Sequence, residues 1–426
     1  MRKSPGITGA FLFEILIWGM KVSVITPTHN TEHLARLYRS LFKQTHSDWE
    51  WIIAPNNGAM LTLHGEDNRI KIFPAGNSDK IGFLKKFAAD KTTGEIIIEV
   101  DHDDELFPTA FEECVKAFQD PTVDFAYSNC CDVRENYEPR CFDPLFGWET
   151  RQCTFENRNL VEMVGFPPDP RSLCKIWYSP NHFRSWRKSF YDKIGGHDVT
   201  LDILDDQDIL CRTYINGKMC HIDKPLYVYH LHKGNTCYGP KNDKIQQDTM
   251  MLHDKYIYPM VERWCDLNKL RKIDLCGGFN KPAGYESVDL FGGDIKADLN
   301  EKWPFEDGTV GVFRAHDALE HLKNHVHVMK EAYRCLAPNG WFLTLTPSTD
   351  GRGAFQDPTH VSFWNSNSFL YYSNREQAKY IGTPVRFQAT RLHNFFPTDW
   401  HQLHNIVYVK ADLLKFSGRT PGKIEI

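Results

Sequence analysis

The sequence predicts an α/β protein of two domains, and three observations carry that reading. β-branched stretches ending in small polar turns alternate with helical stretches between residues 21 and 104, and the alternation starts again at Lys272. Between the two series, residues 245–270 (IQQDTMMLHDKYIYPMVERWCDLNKL) read as helix. At 426 residues the chain is also too long for one ordinary core. The expected divisions are an N-terminal extension (1–19), a first domain (20–240), a helical linker (241–270) and a second domain (271–426).

Composition narrows the class. With 41% hydrophobic and 25% charged residues the chain is globular. A net charge of -5 argues against binding nucleic acid through bulk charge, so nucleic acid is not an expected partner. Twelve cysteines are scattered without a CxxC, which indicates neither a zinc ribbon nor a disulfide framework and fits a reducing cytoplasm. Ala10–Met20 (AFLFEILIWGM) follows Arg2 and Lys3 but is short for a bilayer, is interrupted by Glu14 and lacks a small-residue cleavage site. Residues 1–19 are therefore read as an upstream extension or a membrane-surface segment. The expected location is cytoplasmic, with at most peripheral membrane contact.

In the first series, KVSVIT (21–26) is a strand that ends at the turn Pro27–Asn30, and Leu34, Leu37, Leu41 and Phe42 follow at helical spacing. WEWIIA (49–54) is the next strand and ends at Pro55–Gly58. A short strand over 71–73 and a helix over 81–91 lead to GEIIIEVDHDDELFP (94–108). There a continuous apolar run, expected of a parallel strand covered on both faces, opens into Asp101, His102, Asp103 and Asp104. Carboxylates this close repel unless a cation neutralises them, and ligands of open α/β sheets bind beyond the carboxyl ends of strands. The competing reading is a solvated acidic turn that caps the helix from Thr109.

VSVITPTHN, WIIAPNNGA and KIGFLKKFAADKTTGEIIIEVDHDDELFP together resemble the family 2 glycosyltransferases of GT-A fold. That resemblance implies a nucleotide-sugar donor. Pro27, Thr28 and Asn56 would line its base and ribose, Lys80 would lie near the nucleotide, and Asp101 and Asp103 would form the Asp-x-Asp pair holding Mn²⁺ or Mg²⁺ against the diphosphate. The family's usual Asp-Asp after the second strand is Asn56-Asn57 here. An amide has a different donor–acceptor pattern, so UDP-, dTDP- and GDP-sugars all stay open.

The stretch 118–190 stands where such enzymes hold the acceptor. Its Phe146, Trp148, Trp177, Tyr178, His182, Arg184, Trp186 and Arg187 suit either sugar rings or a core. YDKIGGHDVTLDILDDQDILCR (191–212) resembles the family's GGFDE…EDxDLxxR segment. By that match Asp206 is the catalytic base that takes the acceptor hydroxyl proton, and Asp205 stands where glutamate is usual. The same residues read equally as N-caps of a helix over 208–216. KPLYVYHLHKGN resembles the family's LxxYRxHxxS ending, which makes His232 a metal ligand and puts His230 where arginine is common; a lone histidine is otherwise structural.

In the second series, KIDLCGGFNK is a strand ending in a glycine turn and YESVDL a strand ending near Asp289. Glycines admit close approach of a nucleoside and a carboxylate accepts both ribose hydroxyls. With HDALEHL, LAPNGWF and QDPTHVSFWNSNSF, this series resembles class I S-adenosylmethionine-dependent methyltransferases of Rossmann-like fold. The resemblance implies S-adenosylmethionine as cofactor. Asp274, Cys276, Gly277 and Gly278 would form the methionine-side loop, Asp289 would bind ribose and Asp298 would lie beside adenine. Cys276-Gly277-Gly278 departs from the family's Gly-Cys-Gly, and a domain that no longer methylates is the competing reading.

The expected function is an inverting, metal-dependent glycosyltransferase acting on a glycan or lipid-linked glycan hydroxyl, with a methyltransferase modifying the same glycan. The alternatives are glycosylation of modified DNA or protein, and a non-catalytic sugar-nucleotide-binding protein.

Overall fold

The computed structural model describes residues 19–61, 67–144, 147–175, 180, 182–235 and 241–417. Residues 1–18 of the expected extension, and Phe146, Trp177 and Tyr178 of the candidate acceptor stretch, lie outside the described residues. The chain divides into two compact units, Met1–Tyr256 and Ile257–Ile426. The division falls inside the helix Asn242–Asn268, so the stretch read as a linker is largely one helix that contributes residues to each unit.

The first unit is built on one mixed sheet. Strands β1 (Val22–Thr28), β2 (Trp49–Pro55), β3 (Ile70–Ile72) and β4 (Ile96–Glu99) run parallel in the order β3-β2-β1-β4. Every residue of β1, β2 and β4 is buried, as the continuous apolar run of β4 predicted for a strand covered on both faces. The sheet continues through β10 (Arg184–Arg187), β6 (Phe125–Val133), β11 (Met219–His230) and β5 (Glu105–Leu106). Here β10 is antiparallel to both β4 and β6, and β5 is antiparallel to β11. A small annex of β7 (Pro139–Arg140), β8 (Thr150–Phe155) and β9 (Arg158–Met163) pairs onto β6.

Two helices matter for the cleft. Leu34–Phe42 buries Leu34, Leu37 and Leu41 at the predicted spacing. Ile81–Ala89 buries Leu84 and Ala88, and on the same face it buries Lys85. Gly82 in its first turn has no substitute, because a Cβ there would come within 1.9 Å of the Asp198 carbonyl oxygen. That close approach brings the loop before Asp205 onto the helix, with Gly82 N–H donating to the Leu201 carbonyl at 3.1 Å.

The capping readings are corrected. The helix expected from Asp208 begins at Asp205 and runs to Asn216, with Leu204 as N-cap in the left-handed region, φ 58°. Asp205 and Asp206 thus sit in its first turn, where the helix dipole favours a carboxylate, and no side-chain cap bond forms. Nor do the acids of 101–104 cap the helix Ala110–Phe118, whose N-cap is Thr109. Of the aromatics of the candidate acceptor stretch, Trp148 and Trp186 are core.

The second unit is a seven-stranded sheet in the order β14-β13-β12-β15-β16-β18-β17. Its strands are β12 (Arg271–Leu275), β13 (Glu286–Asp289), β14 (Ile295–Lys296), β15 (Val310–His316), β16 (Leu336–Pro347), β17 (Gln388–Phe395) and β18 (Tyr408–Leu414). All pairings from β14 to β16 are parallel, while β18 lies antiparallel between β16 and β17. Phe313, Phe342, Trp303 and Trp364 fill its core. No helix among the described residues is long and apolar enough to cross a membrane.

Candidate functional site

In the first unit a cleft of about 480 Å³ opens where β1, β2 and β4 end. It gathers Pro27, Thr28, Asn56, Asp101, Asp103 and Asp206, six of the predicted site residues. Lys80 is not among its lining residues; the lysines that are there are Lys85, one turn further into the helix, and Lys241. At Asn56 the side-chain amide donates to the Ser78 carbonyl at 3.3 Å. A carbonyl only accepts, so the NH₂ must point there, which leaves Oδ1 as the amide's free acceptor.

The cleft floor is a buried ionic network. Glu99, at the end of β4, accepts from Lys85 at 2.9 Å and Arg184 at 3.2 Å through one oxygen, and its other oxygen meets His197 Nε2 at 3.1 Å. Lys85 also reaches Asp205 at 3.0 Å, and Arg184 reaches Asp206 at 2.9 Å. Burial works to raise the Asp206 carboxyl, but Arg184 and Lys85 hold it below the usual range, so it is ionised at neutral pH. Its side chain keeps 29% exposure, which leaves it open to an acceptor.

Burial pushes the Asp101 carboxyl up to about 7, with Glu99 and Asp103 adding to the rise and Lys85 opposing it. A half-buried carboxylate crowded by Glu99 and Asp103 is what a divalent cation would relieve, so Asp101 and Asp103 fit one. Asp104 serves otherwise: its two oxygens accept from the Tyr227 hydroxyl at 2.7 Å and the His230 N–H at 2.8 Å. It therefore orients the loop, although Asp101, Asp104 and His182 place ligand atoms within 4.8 Å of one another. His232 Nε2 lies 2.6 Å from Asp103 Oδ2, while its Nδ1 accepts from Gly234 N–H at 3.1 Å. Nε2 therefore carries the proton and donates to Asp103. As drawn, His232 positions Asp103, and coordination through Nε2 would require the Gly234 contact to give.

In the second unit the loop after β12 faces the end of β13. Gly277 lies directly over Asp274, since a Cβ on it would come within 2.2 Å of Asp274 Oδ2. Asp274 Oδ1 is paired with Arg314 at 2.7 Å, while Oδ2 is buried without a hydrogen-bond partner among the described residues. That orphaned acceptor over a side-chain-free cradle fits the ammonium end of a methionine group. Cys276 occupies the left-handed region at φ 55°, backbone that favours glycine. A Cβ on Gly278 would lie 3.8 Å from Asp289 Oδ2, so the loop and the expected ribose acid are neighbours. Asp298 is exposed and accepts from Asn300. It joins this edge through Ala297 N–H, which donates to the Asp289 carbonyl at 3.1 Å.

The family described as glycosyl transferase family 2 matches residues 23–165, and that described as a methyltransferase domain matches residues 271–344. This chain joins a family 2 glycosyltransferase domain to a methyltransferase domain. Both resemblances read from the sequence are borne out at the level of family and fold. The chain is 24% identical over 294 residues to the hyaluronan synthase of Pasteurella multocida, covering 66% of this chain and 28% of that protein. It is 24% identical over 289 residues to the chondroitin synthase of P. multocida strain Pm70, covering 65% and 27%. It thus spans under a third of the length of these relatives. A crystal structure of S. aureus TarS 1–349 in complex with UDP-GlcNAc matches with 18% identity and a TM-score of 0.41, over 58% of this chain and 73% of that chain.

In the glycosyltransferase domain the sequence reading missed Lys85, Glu99 and His197, and named Arg184 only as one of many acceptor-side candidates. Two of these carried a signal. Glu99 interrupts the run IIIEV, and Lys85 falls four residues after Ile81 on the helix face that buries Leu84 and Ala88. A charge on an apolar face has to be paired or solvated, and here it is paired.

Proposed function

We propose that the glycosyltransferase domain transfers a sugar, with inversion, from a nucleotide-sugar donor to a hydroxyl of a growing glycan. The observation that carries this reading is the arrival in one cleft of an ionised, partly exposed Asp206 and the Asp101–Asp103 pair. Asp206 would take the acceptor hydroxyl proton as the oxygen attacks the anomeric carbon and the bond to the diphosphate breaks. Arg184 keeps that carboxylate ionised and oriented. Asp101 and Asp103 would hold a divalent cation, which when bound neutralises charge developing on the leaving diphosphate. The Oδ1 acceptor of Asn56 suits the imide N–H of a pyrimidine base, uracil or thymine, which favours a UDP- or dTDP-sugar donor. The names of the two Pasteurella relatives support a polysaccharide product.

The methyltransferase domain, by the same proposal, methylates a hydroxyl or acid of that glycan with S-adenosylmethionine. Asp274 would hold the methionine end and Asp289 the ribose. The test of the first activity is Asp206→Asn. Transfer from a UDP-sugar is expected to fall to background, while Mn²⁺-dependent UDP binding, read by thermal shift, stays at the wild-type level. Retained transfer would remove Asp206 from the role of base.

A further inference from the structure

Glu320 is a carboxylate with only 2% exposure, placed just after β15. One oxygen accepts from the Thr346 hydroxyl at 2.6 Å, and the other is buried with no hydrogen-bond partner among the described residues. Leaving such an oxygen unpaired costs about 1–3 kcal/mol or more. Its surroundings supply what it lacks: Glu320, His321 and His360 each place one ligand atom within 4.8 Å of the others.

The histidines are prepared to coordinate. His321 Nδ1 faces the Thr359 carbonyl at 3.2 Å, and His360 Nδ1 faces the Ala354 carbonyl at 3.0 Å. A carbonyl only accepts. His321 Nδ1 also lies 3.3 Å from the Thr359 hydroxyl, which donates its own proton to Asp357 at 2.6 Å and so can only accept here; each Nδ1 therefore carries the proton and each Nε2 presents a lone pair. A backbone carbonyl on one ring nitrogen is how metal-ligating histidines are oriented. His232, by contrast, accepts at Nδ1. The segments are also tied together, because Val361 and Ser362 N–H groups both donate to the Glu320 carbonyl, at 2.8 and 3.0 Å, and the Ser362 hydroxyl donates to the Leu319 carbonyl at 2.8 Å.

We propose that Glu320, His321 and His360 hold a divalent transition-metal ion in the methyltransferase domain. Two imidazoles and one carboxylate suit Mn²⁺, Co²⁺ or Zn²⁺ better than Mg²⁺ or Ca²⁺, which favour all-oxygen shells. Three protein ligands leave coordination positions open. His321 and His360 are half-buried, so those positions are reachable. Glu320 follows β15 and the glycine loop follows β12, its parallel neighbour, so the ion and the methyl-donor loop would share one carboxyl edge of the sheet. An oxygen-bearing acceptor, such as adjacent hydroxyls of a sugar, would fill the open positions. That acceptor class rests on the methyl transfer proposed above; the ion site does not.

The test uses the full chain and Co²⁺, whose visible absorption bands report nitrogen ligation. Wild type and Asp103→Asn are expected to show the bands, and His321→Gln and His360→Gln to lose them and bind Zn²⁺ more than about tenfold more weakly in equilibrium dialysis. Metal-free thermal unfolding checks that the variants fold; if either histidine variant does not, Glu320→Gln gives the same comparison. Unchanged bands in all three of these variants, or bands lost only in Asp103→Asn, would overturn the site. S-adenosylmethionine binding, measured separately by calorimetry, reports on the methyl-transfer reading: binding without the bands leaves that reading standing and removes the ion site.

Discussion

Lys85 decides whether the floor of the glycosyltransferase cleft stays assembled. Its ammonium lies between Glu99 and Asp205, both buried, and removing one member of such a set leaves uncompensated charge in the interior. Lys85→Met is therefore expected to destabilise the first unit by about 3–5 kcal/mol, read as a shift of the urea midpoint. The same network sets the strength of the proposed base. A carboxylate held low by Arg184 is always ready to accept a proton but accepts it weakly, so the attack must owe more to positioning than to basicity. At this scale the sequence showed the acids well, since Asp101 and Asp103 stand together in one motif. The cations were less visible because their meaning depends on partners from distant elements: Arg184 meets Glu99 across 85 positions of chain.

Elements of the two β-α series were largely legible, because their strands and helices are announced by their own period and turn, whereas the strands β6 to β10 were not read from the sequence. β2 shows what that period conceals. Glu50, its second residue, has 1% side-chain exposure, where the apolar run alone suggests only core. Burial would raise its pKa, but hydrogen bonds from Lys71, Ser23, Thr93 N–H and Lys21 bring it down to about 2. A lowered carboxylate contributes stability that is full above its unfolded value of 4.5 and is lost as pH falls towards about 2. The expected loss over that window is about 2 kcal/mol, allowing for the partly exposed lysines, and Glu50→Gln is expected to abolish that share of the acid dependence. Unfolding curves at pH 6 and at about pH 3 for both proteins check it. What periodicity could not give was sheet order. That β10 and β18 run against their neighbours depends on pairing across the sheet, which no local stretch encodes.

For the molecule as a whole, the sequence foretold two α/β units of the right families, and the stretch expected as a helical linker is the helix Asn242–Asn268. The proposed coupling of activities belongs to this scale. With Asp206→Asn in the full chain, label from S-adenosylmethionine is expected to reach a pre-glycosylated acceptor and not a bare one, whereas wild type supplied with donor labels both. Equal labelling of the bare acceptor by variant and wild type would show that the two activities act on unrelated positions. The pairing of Asp103 with His232 has a further consequence, for the order in which the chain folds. The two residues are 129 positions apart, and Tyr227, which fixes Asp104, is 123 away from it. Closing loops of that length is slow relative to forming the local β-α steps of residues 22–99. The end of the cleft proposed to hold the nucleotide can therefore take shape while its acidic centre is still open. A refolding chain would regain most of its helix and strand signal first and the proposed diphosphate site last.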